Sequence, residues 1–290
     1  TDSMFSECTR LKEIKIDSFN LMQARTVGGM FNECKALQKL PRIITSNKLH
    51  SITGMLCECR SLIEVDLRLI NTTNVENFVS LFKDCENLVS IYVNKERFKT
   101  DSSTTFRSMF DGCKKLKNFG ETADGIDFSW FKTDKVVSIE NMMKKCISIE
   151  ELDLSSFNTV SLWEMSYAFS EMHHLRRINL SSFKTLNVRR MKCTFSKCYA
   201  LTKANLDNFY TPLLNDASQM FAECKSLREV HLKHMTSESL GSVYNMYADC
   251  RVFELVDMSS CVFDKTKLQD IPSMFIGCFK KVKFNVKEYK

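Results

Sequence analysis

No apolar run in this chain approaches the roughly 18 residues needed to cross a membrane as a helix, so no membrane span is expected. No basic stretch followed by an apolar one opens it, so no signal peptide is read; the first residue is Thr1, and the native start is expected to lie elsewhere. H-E-x-x-H, G-x-x-x-x-G-K-[ST] and G-x-S-x-G are all missing. Nothing arranges the plentiful Ser, His and Asp as nucleophile, base and orienter, so no catalytic residue is assigned and the protein is not expected to be an enzyme. Cys57 and Cys59 form a lone C-x-C, too few ligands for zinc. No metal and no cofactor are expected. The net charge of +6 is mild for 290 residues. Many of the cations sit at one repeated position (Arg10, Lys35, Arg60, Lys114, Lys225, Arg251), where a helix C-terminus would favour them. No nucleic-acid partner is expected.

What the chain does contain is a repeat. Met220-Phe221-Ala222-Glu223-Cys224-Lys225-Ser226-Leu227 returns with changes down the whole length. Its Phe position reads Phe5, Phe31, Leu56, Phe82, Phe110, Met143, Phe169, Phe195, Phe221, Tyr247 and Phe275, in steps of 25 or 26 residues with two of 28 and one of 33. Three residues on stand Cys8, Cys34, Cys59, Cys85, Cys113, Cys146, Met172, Cys198, Cys224, Cys250 and Cys278. Such a period indicates stacked repeats, in which each unit touches only its neighbours. The reading is a single solenoid over residues 1–290 with partial first and last units.

Ten of the thirteen cysteines fill one repeat position, which argues against a disulfide framework. Stacked about 4.8 Å apart, their Cβ vectors run parallel, a poor disulfide geometry. They are expected to be reduced and buried as small hydrophobes, which implies a compartment that tolerates free thiols.

Within a unit, Leu152-Asp153-Leu154 alternates as a half-buried strand does. The alternation recurs at Ile14/Ile16, Val65/Leu67, Ile91/Val93, Ile126/Phe128, Ile178/Leu180, Val230/Leu232 and Val256/Met258. A second bulky position follows (Phe157, Phe183, Phe209, Phe263), then Thr72, Thr100, Thr133, Thr159, Thr185 or Thr211, with Ser46 and Ser237 in two other units. These read as helix N-caps. After Thr159 the apolar residues Leu162, Met165, Ala168, Phe169 and Met172 are spaced by threes and fours, which predicts a helix of about twelve residues. Glu164, Ser166, Arg189, Arg190 and Lys192 are placed on its solvated face. His173 and His174 are read as capping or surface residues. The longest unit carries its insertion at 120–125, before the strand expected at Ile126.

The Leu152-Asp153-Leu154-Ser155-Ser156-Phe157-Asn158-Thr159 segment and the Met-Phe-x-x-Cys-x-x-Leu motif resemble the BspA-type leucine-rich repeats, known from bacterial and mycoplasma surface proteins, protists and large DNA viruses. The resemblance covers nearly the whole chain. It implies an α/β leucine-rich-repeat-like solenoid of about eleven units, with short parallel strands on one face and helices on the other. It also implies binding or adhesion rather than catalysis, and a cell-surface location. Free thiols point instead to a reducing compartment or a virion interior. The sequence departs from the pattern at Pro41-Arg42, expected to interrupt the second strand, at Met172, and at Lys281.

Two functional readings follow. One is a non-enzymatic interaction or adhesion solenoid that binds a protein or glycan through its strand face and adjacent loops. The other is a structural scaffold within a multi-subunit assembly, such as a virion or cytoskeletal layer. The candidate binding residues are the exposed strand positions Asp66, Tyr92, Asp127, Asp153, Asn179, Asn205, His231 and Asp257, with Lys15 ahead of them. Trp130, beside the 120–125 insertion, is expected to face outward.

Overall fold

The computed structural model describes residues 2–232, 234–235, 240–258, 270–278 and 283–286, the last four and Met258 by backbone only. Ser237, Cys261, Phe263 and Lys281 lie outside the described residues. The chain divides into two compact units, Thr1–Val136 with Met142–Ile149, and Val137–Asn141 with Glu150–Lys290. Each is a parallel β-solenoid, with about nine turns in all.

The first unit holds β1 (Ser18–Leu21), β2 (Arg42–Thr45), β3 (Glu64–Asp66), β4 (Ser90–Tyr92) and β5 (Asn118–Gly120). The second holds β6 (Glu151–Asp153), β7 (Arg177–Asn179), β8 (Lys203–Asn205), β9 (Glu229–His231), β10 (Leu255–Met258) and β11 (Lys283–Val286). The strands pair in parallel with those of neighbouring coils, as in Leu152 beside Ile178 and Ala204 beside Val230, in the sets β1–β2, β3–β5, β6–β7 and β8–β11.

Two strands differ from the alternation read in the sequence. The first lies at Ser18–Leu21 rather than at Ile14/Ile16, because its partner can begin only after Pro41, which has no N–H to give a ladder. Pro41 therefore precedes β2 instead of interrupting it, and the Arg42 N–H reaches Asp17 O at 3.2 Å. In the longest unit the strand is Asn118–Gly120, with Phe119 in register with Ile91. The 120–125 insertion begins on the last residue of this strand, not before a strand at Ile126, and returns the chain so that Ile126 bridges back to Phe119. Phe128 is thereby buried against Phe119, ring centroids 5.3 Å apart.

The expected helices are absent among the described residues. Among the described residues the helical content is one three-residue 3-10 segment, Ile271–Ser273. In place of each expected helix runs a chain of successive turns, for which residues 217–224 serve as the pattern. The N–H groups of Ala217, Gln219, Phe221 and Glu223 donate to carbonyls of the next coil, at Ser242, Tyr244, Met246 and Ala248, over 2.7–2.9 Å. The alternate N–H groups of Met220, Ala222 and Cys224 close turns on the carbonyl three residues back. A helix would send every N–H four residues back and leave nothing for the neighbouring coil. The turns closed by Met220 and Cys224 need left-handed backbone at their third residue, and the chain supplies it at both: φ is +54° at Gln219 and +60° at Glu223. Gly29 and Gly54, Asn141 and Asn245 take the first of these positions, Asp84, Gly112 and Gly277 the second.

The Thr position changes role accordingly. Thr159 Oγ1 donates to Lys184 O at 3.0 Å and accepts the Lys184 N–H at 2.7 Å. Thr100 does the same with Lys132. These buried hydroxyls tie one coil to the next; they do not cap helices.

The interior is a pile of like side chains. In the second unit Phe169, Phe195, Phe221 and Tyr247 are fully buried, and consecutive rings including Phe275 lie 5.2–5.6 Å apart with planes within 23° of parallel. Phe157, Phe183 and Phe209 make a second pile at 6.2–6.3 Å. In the first unit Phe5 lies on Phe31 and Phe82 on Phe110, each at 5.5 Å. Beside the rings the buried thiols are more than small hydrophobes. Each Sγ donates to the carbonyl of the preceding coil's ring position, as Cys59 to Phe31 O at 3.1 Å, Cys113 to Phe82 O at 3.0 Å and Cys224 to Phe195 O at 3.0 Å. That carbonyl already accepts the N–H that closes its own turn, so the thiol fills its second lone pair.

Candidate functional site

The three-residue strands β3, β6, β8 and β9 each bury the middle side chain and leave the two end ones more open, so the outer face carries two rows. The outer residues at the strand ends are the predicted site residues. In the first unit Asp66 pairs in register with Tyr92 and Tyr92 with Gly120. In the second, Asp153 stands beside Asn179, and His231 stands between Asn205 and Asp257. Asp66, Asp153, Asn179 and Asn205 are exposed; Tyr92, His231 and Asp257 are half-buried. Lys15 and Asp127 are exposed but lie outside the strands.

These polar residues also do local work that the sequence reading missed. Oδ1 of Asp66, Asp127, Asp153, Asn179 and Asn205 accepts the backbone N–H two residues on, over 2.8–3.1 Å. Asp and Asn favour this closure because the short side chain mimics a backbone turn. Each therefore shapes the corner after its strand while presenting polar atoms to solvent. The Ser155 N–H holds the Asp153 carboxyl below the usual carboxylate range. The Arg68 side chain does the same for Asp66, through Nε to Oδ1 at 3.0 Å and Nη2 to Oδ2 at 2.6 Å. Arg68 also lies 5.9 Å from the Tyr92 ring centroid. The flanking row carries cross-strand ion pairs, Glu151 with Arg177 and Lys203 with Glu229 at 3.0 Å.

Trp130 does not face outward. It is half-buried, its ring stacked on Phe119 at 5.8 Å and its Nε1 donating to Phe98 O at 2.9 Å. An indole N–H near the core needs an acceptor, and the turn of the preceding coil offers one.

The cations after the Cys position have no helix end to serve. In the first unit they form a staircase of half-exposed surface pairs: Lys35 with Glu33 and Glu58, Arg60 with Glu58 and Glu86, Lys114 with Glu86. Each contributes little by itself. In the second unit Lys225 lies 4.2 Å over the Tyr199 ring, which stacks on His173 at 4.5 Å; burial pushes the His173 pKa down. Among the described residues no group of three or more His, Cys, Asp and Glu is placed to hold a metal ion. Among them no helix is long and apolar enough to cross a membrane.

A second row of bridges runs along the turns, and it holds a feature the sequence reading misplaced. Glu164 and Ser166, assigned to a solvated helix face, are buried. Glu164 forms an ion pair with Arg190, and its Oε1 accepts the Ser166 N–H at 2.8 Å. Arg190 in turn lies 4.9 Å over the ring of Trp163, which remains exposed.

The family described as "Mycoplasma protein of unknown function, DUF285" matches residues 1–121, 117–234 and 195–289. No curated protein matches the chain. Among solved structures, a leucine rich cell surface protein from Faecalibacterium prausnitzii A2-165 is similar at 14% identity, over 94% of this chain and 78% of that one, with a TM-score of 0.44. A leucine-rich repeat protein from Bacteroides ovatus ATCC 8483 is similar at 13% identity, over 99% of this chain and 87% of that one, with a TM-score of 0.31.

Proposed function

The chain belongs to the DUF285 family, and from that premise we propose that it is a non-enzymatic interaction or adhesion solenoid that meets a protein or glycan partner with its strand face. The observation that carries this reading is the outer row at the strand ends. Its chemistry changes from coil to coil (Asp153, Asn179, Asn205, His231, Asp257) while its backbone geometry repeats. A partner meeting such a row finds side chains whose backbone is already ordered, which lowers the entropy cost of binding. The Met-Phe-x-x-Cys-x-x-Leu spacing supports placing the repeats with the BspA type.

Truncation to Ala is a poor test, because it removes the turn acceptor along with any contact. Asp153→Asn combined with Asn179→Asp keeps both Oδ1 acceptors and redistributes the charge. Cross-linked partners recovered from native extract are expected to fall at least about fivefold for this pair, roughly 1 kcal/mol of binding, with the melting temperature unchanged. Equal recovery from wild type and variant would count against the strand face.

The buried thiols belong to this reading as a property of the working protein: they stay reduced. Burial pushes the Cys34 thiol up to about 11 and Cys198 up to about 12, with Cys113 and Cys224 well above the ordinary value. The thiolate is the reactive form, so these groups are slow to react. In folded protein a thiol reagent is expected to modify the exposed Cys8 rapidly and the buried column hardly at all; in denaturant it should titrate all thirteen cysteines. Recovery of only one or two thiols in denaturant would contradict a reduced column.

A further inference from the structure

Trp163 is 37% exposed on the turn side of the second unit, away from the strand row. Its neighbours there are also apolar. Val160 and Leu186 hold the same position in successive coils and are 39% and 54% exposed. The coils are tied together at this place: Asn187 Nδ2 donates to Val160 O at 2.8 Å and the Arg189 N–H to Trp163 O at 2.9 Å. A shallow depression lined by Ser161, Trp163, Asn187 and Arg189 lies between them.

The indole is braced. Arg190 covers its ring, and that guanidinium is fixed by Glu164, itself only 4% exposed. A buried carboxylate with one guanidinium partner is a costly arrangement for surface stability alone; here its effect is to hold an exposed aromatic ring in one orientation. Rigid Trp and Arg side chains are the residue types that dominate protein interfaces. Within the two coils that line the depression the free charge is cationic, with Asp216 one coil further on in register with Arg190. Between Thr159 and Met165, and between Thr185 and Met191, the single acid is Glu164, already committed to Arg190. Arg189 is exposed and forms no ion pair among the described residues.

We propose that this depression docks an acidic protein segment, which lays an apolar side chain on Trp163 and brings a carboxylate to Arg189. The aliphatic Val160 and Leu186 favour a peptide over an anionic polysaccharide, whose hydroxyl-rich surface has little to match them. The site is separate from the strand row and does not depend on it.

The chain has two tryptophans, so in a Trp130→Phe background the emission reports Trp163 alone. Three synthetic peptides serve as probes, alternating Leu with Glu, Leu with Lys, and Ser with Glu, together with a sulfated polysaccharide. The Leu/Glu peptide is expected to shift the emission saturably and to bind at least about tenfold tighter than the other two peptides, a difference of roughly 1.4 kcal/mol. With labelled peptide and polarisation as the readout, Trp163→Ala and Arg189→Glu should each weaken binding about tenfold or more. Arg189→Lys should retain most of it, and Asp153→Asn should leave it unchanged. Arg189→Glu alters an exposed side chain, so its melting temperature should match the wild type and separate lost binding from lost folding. No saturable binding, equal binding of the three peptides, or binding of the polysaccharide in place of the Leu/Glu peptide would overturn the proposal.

Discussion

Phe221→Ala is expected to destabilise the protein by about 4 kcal/mol, the cost of emptying a fully buried aromatic site that cannot collapse. Phe221 is wholly buried, with Phe195 at 5.2 Å on one side and Tyr247 at 5.6 Å on the other. Both neighbours are held by backbone bonds to the coil that follows each: the Phe195 N–H donates to Met220 O, in Phe221's own coil, and the Tyr247 N–H to Met274 O, one coil further on. Neither ring can slide into the space without breaking its own coil-to-coil bond. Thermal unfolding should show a fall in Tm of about 10 °C, taking roughly 2–4 °C per kcal/mol for a chain of this size. Tyr210→Ala provides the contrast, since Tyr210 is 48% exposed; it should change stability by less than about 0.5 kcal/mol. A loss below about 1 kcal/mol at Phe221 would mean that the rings do not form the interior.

Glu223→Pro is expected to cost at least about 3 kcal/mol, and Glu223→Gly to be neutral or stabilising by up to about 1 kcal/mol. The reasons are local. Glu223 sits at φ +60° as the third residue of the turn closed by the Cys224 N–H on Phe221 O, and its own N–H reaches Ala248 O at 2.7 Å. Proline cannot adopt that φ and has no N–H, so it breaks both the turn and the link to the next coil. Glycine adopts it without the steric cost that a Cβ carries. The ion pair lost with Glu223, to Lys197 at 3.6 Å on the surface, matters little. In a helix the glycine result would have the opposite sign, a loss of about 1 kcal/mol. Urea titration of the two variants therefore separates the two backbones.

The parts of the fold that were legible in the sequence are those fixed by burial. The Phe and Cys positions repeat because each coil must present the same shape to the next, and Phe195, Phe221, Cys198 and Cys224 are all buried as their spacing implies. The strand at Glu151–Asp153 was legible from its alternation. The helix was misread because a string of turns also brings residues three and four apart to one side. Leu162, Met165, Phe169 and Met172 therefore satisfy a helical pattern without forming a helix. The contrary signal was present. Gly29, Gly54, Gly112 and Gly277, with Asn141 and Asn245, recur at two fixed positions inside the supposed helices, where a helix would disfavour them and a left-handed turn selects them.

The candidate surface was half legible for a related reason. Alternation shows which strand residues point out, so the row through Asp153, Asn179 and Asn205 could be found. The Asp-x-Ser spacing at Asp153 and Ser155 also carried the turn closure, which went unread. Glu164 could not have been placed, because its burial depends on Arg190 one coil away. Trp130, expected to face outward, instead stacks on Phe119, while Trp163, for which the sequence suggested no role, is the ring that stays exposed under Arg190.

Far-UV circular dichroism of the folded protein distinguishes a coil made of a short strand and consecutive turns bonded to the neighbouring coil from one that carries a helix. The expected result is a sheet-and-turn spectrum that lacks the helical double minimum and is lost cooperatively on heating. A strong double minimum, of the size that one helix of about twelve residues per coil would give, would contradict it.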